Sequence, residues 1–162
     1  MRLESDDGSW IELRPVAYQF PDAAPQSDGY NGDANWLEIA GEVHDAKGPS
    51  WSFADPCMDT HEARQMSEWL RRIATDHASA VEATRSGSSV FWLTEPNLVI
   101  EAVDQDLDRV SMLWRFALES APPGSSDEIR LDGYEVRVVA SRASLSGAAH
   151  AWDEHLAEFP ER

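Results

Sequence analysis

Several groups of side chains have types and spacings that could carry chemistry. Asp104, Asp106 and Asp108 have the Asp-x-Asp-x-Asp spacing that opens a calcium-binding loop, where alternate oxygens converge on a hard cation. That loop needs glycine at its sixth position and a carboxylate at its twelfth, and Arg109 and Arg115 stand there. The segment therefore reads as a solvated hairpin turn. His61-Glu62 begins like a zinc-protease helix, but the second histidine belongs at position 65, which is Gln65. His150 and His155 are five apart and do not share a helix face well enough to hold one metal together. Cys57 is the one cysteine, which excludes an internal disulfide framework and a cysteine-built zinc site. With His61 close in sequence it could be a nucleophile, given a histidine within hydrogen-bond reach and a third group to orient it. A lone cysteine more often packs as a small apolar side chain. Glu95 and Glu101 could form an acid–base pair, which would have to flank a scissile bond at about 5–10 Å. A chain with 30 acids offers such pairs by chance. Gly124-Ser125-Ser126 and Gly147 make no phosphate-binding fingerprint. The expectation is a protein with no catalytic residue, metal or cofactor. The alternative is a small intracellular enzyme using Cys57 or a carboxylate pair.

The 162 residues carry 13 basic and 30 acidic side chains, a formal charge of −17. The basic set is 12 Arg and Lys47. Such a field repels phosphate backbones and anionic lipid surfaces, so neither nucleic acid nor membrane is an expected partner. It attracts a basic protein and speeds encounter with it. The apolar share of 42% and seven Trp fit a packed body rather than a disordered acidic tail. Apolar runs reach only three to four residues, whereas a bilayer span takes about 20. The opening Met1-Arg2-Leu3-Glu4-Ser5-Asp6-Asp7 has acids where a signal peptide needs an apolar stretch. A cytoplasmic protein of one domain over residues 1–162 is expected, as a monomer or homodimer.

The elements that must position these groups follow from periodicity. Trp10 to Leu13 reads as a strand, with a bulge or bend at Pro15 where the apolar set shifts to Val16, Tyr18 and Phe20. Residues 21–34 read as a long exposed loop. Trp36 to Val43, with Leu37, Ile39 and Val43 on one side, pairs as a hairpin with Trp51 and Phe53. Asp59 to Asp76 is the clearest helix: Asp59 and Glu62 have capping-box spacing, and Ala63, Met66, Leu70 and Ile73 form an apolar stripe. Residues 79–89 read as a connection. Val90 to Thr94 is apolar on both faces, as in a covered central strand. Leu98 to Val103, then Val110 to Leu118, follow as strands. Ile129 and Leu131 lead into Asp132-Gly133, a hairpin signal, and on to Tyr134, Val136 and Val138. Ser144 to Phe159 is a second helix, with Leu145, Ala149, Trp152, Leu156 and Phe159 on one face and Ser141 or Ser144 as its cap. Strands in runs with two helices predict an α+β fold: a largely antiparallel, curved sheet of about seven strands with two α-helices packed on it.

Six stretches stand out together: Asn35-Trp36-Leu37; Trp51-Ser52-Phe53-Ala54-Asp55-Pro56-Cys57; Glu68-Trp69-Leu70; Thr94-Glu95-Pro96-Asn97-Leu98; Leu118-Glu119 before Pro122-Pro123; and Leu156-Ala157-Glu158-Phe159-Pro160. In order and spacing, from about Trp10 to Pro160, they resemble the WapI-like immunity proteins. The resemblance implies a non-enzymatic inhibitor that protects a bacterium from the toxic C-terminal domain of a wall-associated polymorphic toxin, which can be a tRNA-cutting nuclease. Gly124 stands where an aromatic is expected after the Pro-Pro pair.

A basic nuclease cleft can be filled by carboxylates that stand in for phosphates. The surface expected to bind the cognate toxin domain is the set of acidic loops: Asp22, Asp28 and Asp33; Asp104, Asp106 and Asp108; Asp127, Glu128 and Asp132.

Overall fold

The computed structural model describes residues 1–23, 32–75 and 89–162. Among these, eight strands form two open, four-stranded antiparallel sheets. The first sheet holds β1 (Arg2–Glu4), β2 (Trp10–Tyr18), β3 (Trp36–His44) and β4 (Ser50–Asp59) in chain order. The second holds β5 (Val90–Trp92), β6 (Leu98–Gln105), β7 (Arg109–Phe116) and β8 (Tyr134–Ser141), also in chain order. Three helices accompany them: α1 (Thr60–Thr75), α2 (Asp127–Asp132) and α3 (Arg142–Leu156). The class is α+β, as the sequence predicts. The strands divide between two sheets, because β4 runs into α1 instead of pairing onward.

Alternation decides which face of each strand is buried. Leu37, Ile39 and Val43 of β3 and Val110, Met112, Trp114 and Phe116 of β7 enter one contiguous core. Both sheets and helices α1 and α3 contribute to that core. The expected irregularity in β2 is present: the register with β3 shifts between Pro15 and Ala17. Pro15 keeps the core side, and Val16 is the residue pushed outward. At Gly41 the Phe53 ring lies over the backbone; a Cβ there would sit 2.2 Å from it, so only glycine lets that ring reach Phe116 at 5.9 Å.

Helix α1 begins in a reciprocal capping box. The Glu62 amide donates to Asp59 Oδ1 at 2.7 Å, and the Asp59 amide donates to Glu62 Oε2 at 3.1 Å. Its stripe of Ala63, Met66, Trp69, Leu70 and Ile73 is buried. Helix α3 lies against it, with Trp152 Nε1 donating to the Ala63 carbonyl at 2.8 Å. The Ser144 amide donates to Ser141 Oγ at 3.0 Å, the N-terminal cap expected of that serine.

Two expectations are corrected. Residues 127–132 form a helix, not a strand entering a hairpin. Ser126 caps it by accepting from the Ile129 amide, acids fill its first turn, and Gly133 ends it at φ +89°. The Asp-Gly signal marks a helix terminus here. Among the described residues β5 is an edge strand of three residues that pairs with β6 alone, not a covered central strand. Phe91 packs inward on Trp69 of α1 at 6.1 Å, and Trp92 points to solvent.

Candidate functional site

Two of the stretches that carry the family resemblance, Trp51 to Cys57 and Thr94 to Leu98, meet in space. Asp55 of β4 and Asn97, just before β6, are both buried, and the Asn97 amide donates to Asp55 Oδ2. Trp51, four residues before Asp55, donates from Nε1 to the Ser120 carbonyl at 2.9 Å. Its ring stands edge-on to Phe116 at 5.3 Å and Tyr134 at 5.5 Å. Ser120 belongs to a 3-10 turn, Leu118–Ser120, in which Leu118 takes φ +51°. Glu62 spans from the helix cap to the turn before β6, accepting from the Thr94 amide at Oε1 at 2.6 Å. Burial raises the Asp55 carboxyl above its ordinary range; the Asn97 bond opposes this, and Glu119, Glu95 and Glu38 add to it. These side chains are consumed in holding one sheet to the other.

The residues considered for catalysis are not assembled. Cys57 is fully buried, and burial drives its thiol far above the usual range, with Asp55 and Glu62 adding to the effect. Such a thiol is protonated and inert. His61 is exposed and pairs with Gln65, one turn along α1, at 2.9 Å. Glu95 lies exposed in the turn before β6, whereas Glu101 lies within β6, on the face opposite the core. Among the described residues no three His, Cys, Asp or Glu side chains gather as a metal site.

The acidic loops fall in separate places. Asp106 and Asp108 lie in the β6–β7 turn, and Asp104 is the last residue but one of β6. Asp106 Oδ1 accepts from the Asp108 amide at 2.8 Å and the Arg109 amide at 2.7 Å, which holds its carboxyl below the usual range. Arg142 reaches the same turn, donating to the carbonyls of Asp106 and Leu107. Asp127, Glu128 and Asp132 lie on α2, between β7 and β8, at the far end of β7. Eight residues of strand separate the two groups, roughly 27 Å. Asp22 and Asp33 border a third region, a concavity of about 430 Å³ lined also by Gln19, Phe20, Pro21 and Ala23. Asp28 lies outside the described residues.

Each region carries a large apolar side chain left in solvent, two of which, Phe20 and Leu131, periodicity assigns to the buried face of a strand. Leu107 is 78% exposed among the turn acids, Leu131 is 73% exposed on α2, and Phe20 is 45% exposed beside Asp22. An apolar anchor inside a charged rim is how binding energy is commonly distributed at protein interfaces. The outward face of the first sheet adds acids that loop-based reasoning passes over. Glu12 and Glu42 lie directly opposite in the β2–β3 ladder, where like charges destabilise. Arg2 reaches Glu12 at 3.6 Å but also serves Glu4.

A model of the Immunity protein WapI-like family matches residues 2–160, nearly the whole chain, and the chain belongs to that family. No curated protein and no solved structure matches it. No helix of the described residues is long and apolar enough to cross a membrane.

Proposed function

We propose that this member of the Immunity protein WapI-like family neutralises a cognate toxin domain by binding it in the cytoplasm, without turning over a substrate. Family membership carries the reading. The partner we infer is a cationic protein, a nuclease domain whose phosphate-binding cleft is occupied by carboxylates. The charge of −17 supports this chemistry, since it draws a cationic partner in and repels nucleic acid and anionic lipid. The acidic loops with Leu107, Leu131 and Phe20 at their centres offer rims with anchors. An inert Cys57 is consistent with inhibition by contact alone.

The test is co-expression with candidate toxin domains, any encoded in neighbouring genes first. Cells that make the toxin domain survive only when this protein is made with it, and the purified pair forms a complex that loosens at least tenfold between 50 and 500 mM salt. Absence of both rescue and complex overturns the reading. Rescue with a complex indifferent to salt keeps the immunity role and removes the acidic docking.

A further inference from the structure

Strand β4 ends the first sheet, so among the described residues one of its long edges has no neighbouring strand. An antiparallel ladder bonds alternate residue pairs, and the residues between them turn N–H and C=O to the other side. The Asp45 amide donates to the Pro49 carbonyl at 3.1 Å. Counted along the register from that pair, Trp51, Phe53 and Asp55 are the residues that bond to β3, opposite Val43, Gly41 and Ile39. Ser52 and Ala54 therefore aim both backbone groups outward. Among the described residues neither meets a backbone partner on that side, and both are exposed. The open stretch is short. Pro49 stands before it and Pro56 after it, and neither has an amide hydrogen to offer.

A groove of about 190 Å³ follows this edge, between Ser52–Ala54 and the chain from Leu118 to Ser125, with Arg130 of α2 in its wall. The 3-10 turn Leu118–Ser120 sits on the core side of the edge, because the inward-facing Trp51 reaches its Ser120 carbonyl. Acids dominate the surroundings. Glu119 lines the groove, and Glu119, Glu95 and Glu38 all lie close enough to act on the Asp55 carboxyl. Asp127, Glu128 and Asp132 share α2 with Arg130. Arg115, beside Gly133 at the end of α2, is already paired with Glu135 at 2.9 Å. A second copy would bring the same acids to the same edge and meet like charge. An extended segment with cationic side chains meets opposite charge along its whole length.

We propose that the partner docks by laying an extended, Arg- or Lys-bearing segment against Ser52 and Ala54, as a fifth strand of the first sheet. The inference rests on the reading that the partner is a cationic protein, and it adds where that protein is held and by which groups. Main-chain bonds to Ser52 and Ala54 supply the hold, and the carboxylates beside the groove select basic side chains. Pro49 and Pro56 limit the pairing to a few residues.

Amide exchange read by NMR tests it, with acetyl-Arg-Val-Arg-Val-Arg-amide as the probe at low salt. In the free protein the Ser52 and Ala54 amides exchange about tenfold faster than those of Trp51 and Phe53. The peptide slows Ser52 and Ala54 about tenfold, and the same peptide with Glu in place of Arg does not. Ala54→Pro removes an outward donor and spares the β3 ladder, so the variant folds and Ser52 no longer responds to the peptide. Glu119→Lys, an exposed change, weakens the response about fivefold. Circular dichroism and thermal melting report the fold of each variant, and Glu119→Lys carries the test if Ala54→Pro does not fold. Slow exchange at Ser52 and Ala54 in the free protein, no slowing by the basic peptide, or equal slowing by the acidic one overturns the proposal. The probe requires no toxin, so the two readings fail separately. Rescue of toxin-producing cells without peptide docking keeps the immunity role and removes the edge. Docking without rescue keeps the edge and removes the toxin.

Discussion

Asn97 donates its amide to the Asp55 carboxylate, while its own Oδ1, equally buried, accepts from no group of the described residues. An ionised carboxylate has no proton to offer that oxygen. A protonated carboxyl or a second amide does, and either closes a two-bond ring with Asn97.

Asp55→Asn is therefore expected to raise stability at pH 7.5 by about 1 kcal/mol, by satisfying Asn97 and removing a buried charge. Because the folded carboxyl sits above its ordinary range, the native state holds a proton more tightly than the unfolded chain. The contribution of this group to stability is then greatest on the acid side and is lost as pH rises from near 4 through the raised folded value. Urea unfolding at several pH values should show the wild-type and Asp55→Asn curves converging toward pH 4. A variant less stable than wild type at pH 7.5 would contradict the assignment.

Glu62 accepts from two separated amides, one oxygen each, at Asp59 and Thr94. Gln offers one acceptor and turns an N–H toward the other donor. Glu62→Gln should cost about 1–2 kcal/mol, and hydrogen exchange should speed at the unmatched amide. Equal stability would mean that the second bond contributes nothing.

Arg142 opens α3 and donates to the carbonyls of Ile73 at 2.7 Å and Asp106 at 2.8 Å, with Ala74 and Leu107 also in reach. One guanidinium thus ties the end of α1 to the β6–β7 turn and satisfies carbonyls that a helix end leaves open. Arg142→Lys keeps the charge but loses the planar fork, so thermal melting should show it destabilised by about 1–3 kcal/mol. A melting temperature equal to wild type would show that a point charge suffices there.

Asp104 and Asp108 lie at one end of β7, and Asp127, Glu128 and Asp132 at the other. If one toxin face covers one end, Asp104→Asn with Asp108→Asn, or Asp127→Asn with Glu128→Gln and Asp132→Asn, should slow association about tenfold, and only one set should. Asp106 is left intact because its carboxylate builds the turn. Stopped-flow binding distinguishes the sets; equal small effects from both would point to a diffuse field instead of a local contact.

Much of this architecture could be read from the chain before its coordinates. The capping box of α1 is a four-residue pattern, and the burial of Leu37, Ile39 and Val43 is a two-residue period, so each is decided locally. The Asp55–Asn97 bond joins residues 42 apart, and no local pattern encodes it. Residues 127–133 misled because Ile129 and Leu131 mimic alternation, while Ser126 and Gly133 supply a helix start and stop. Phe20, Leu107 and Leu131 stayed hidden for a different reason. Hydropathy treats an apolar residue as interior, and only the folded surface reveals the ones left outside. The acidic loops were visible as charge, but their separation along β7 required the strand order.

The clasp between the sheets bears on the protein's life in a cell. A half-built molecule would strand Asp55 or Asn97 without its mate and bare the oily side of whichever layer had formed. Such a species is prey for proteases. A copy that has lost this join therefore opens more often, and is cut sooner, than an intact one.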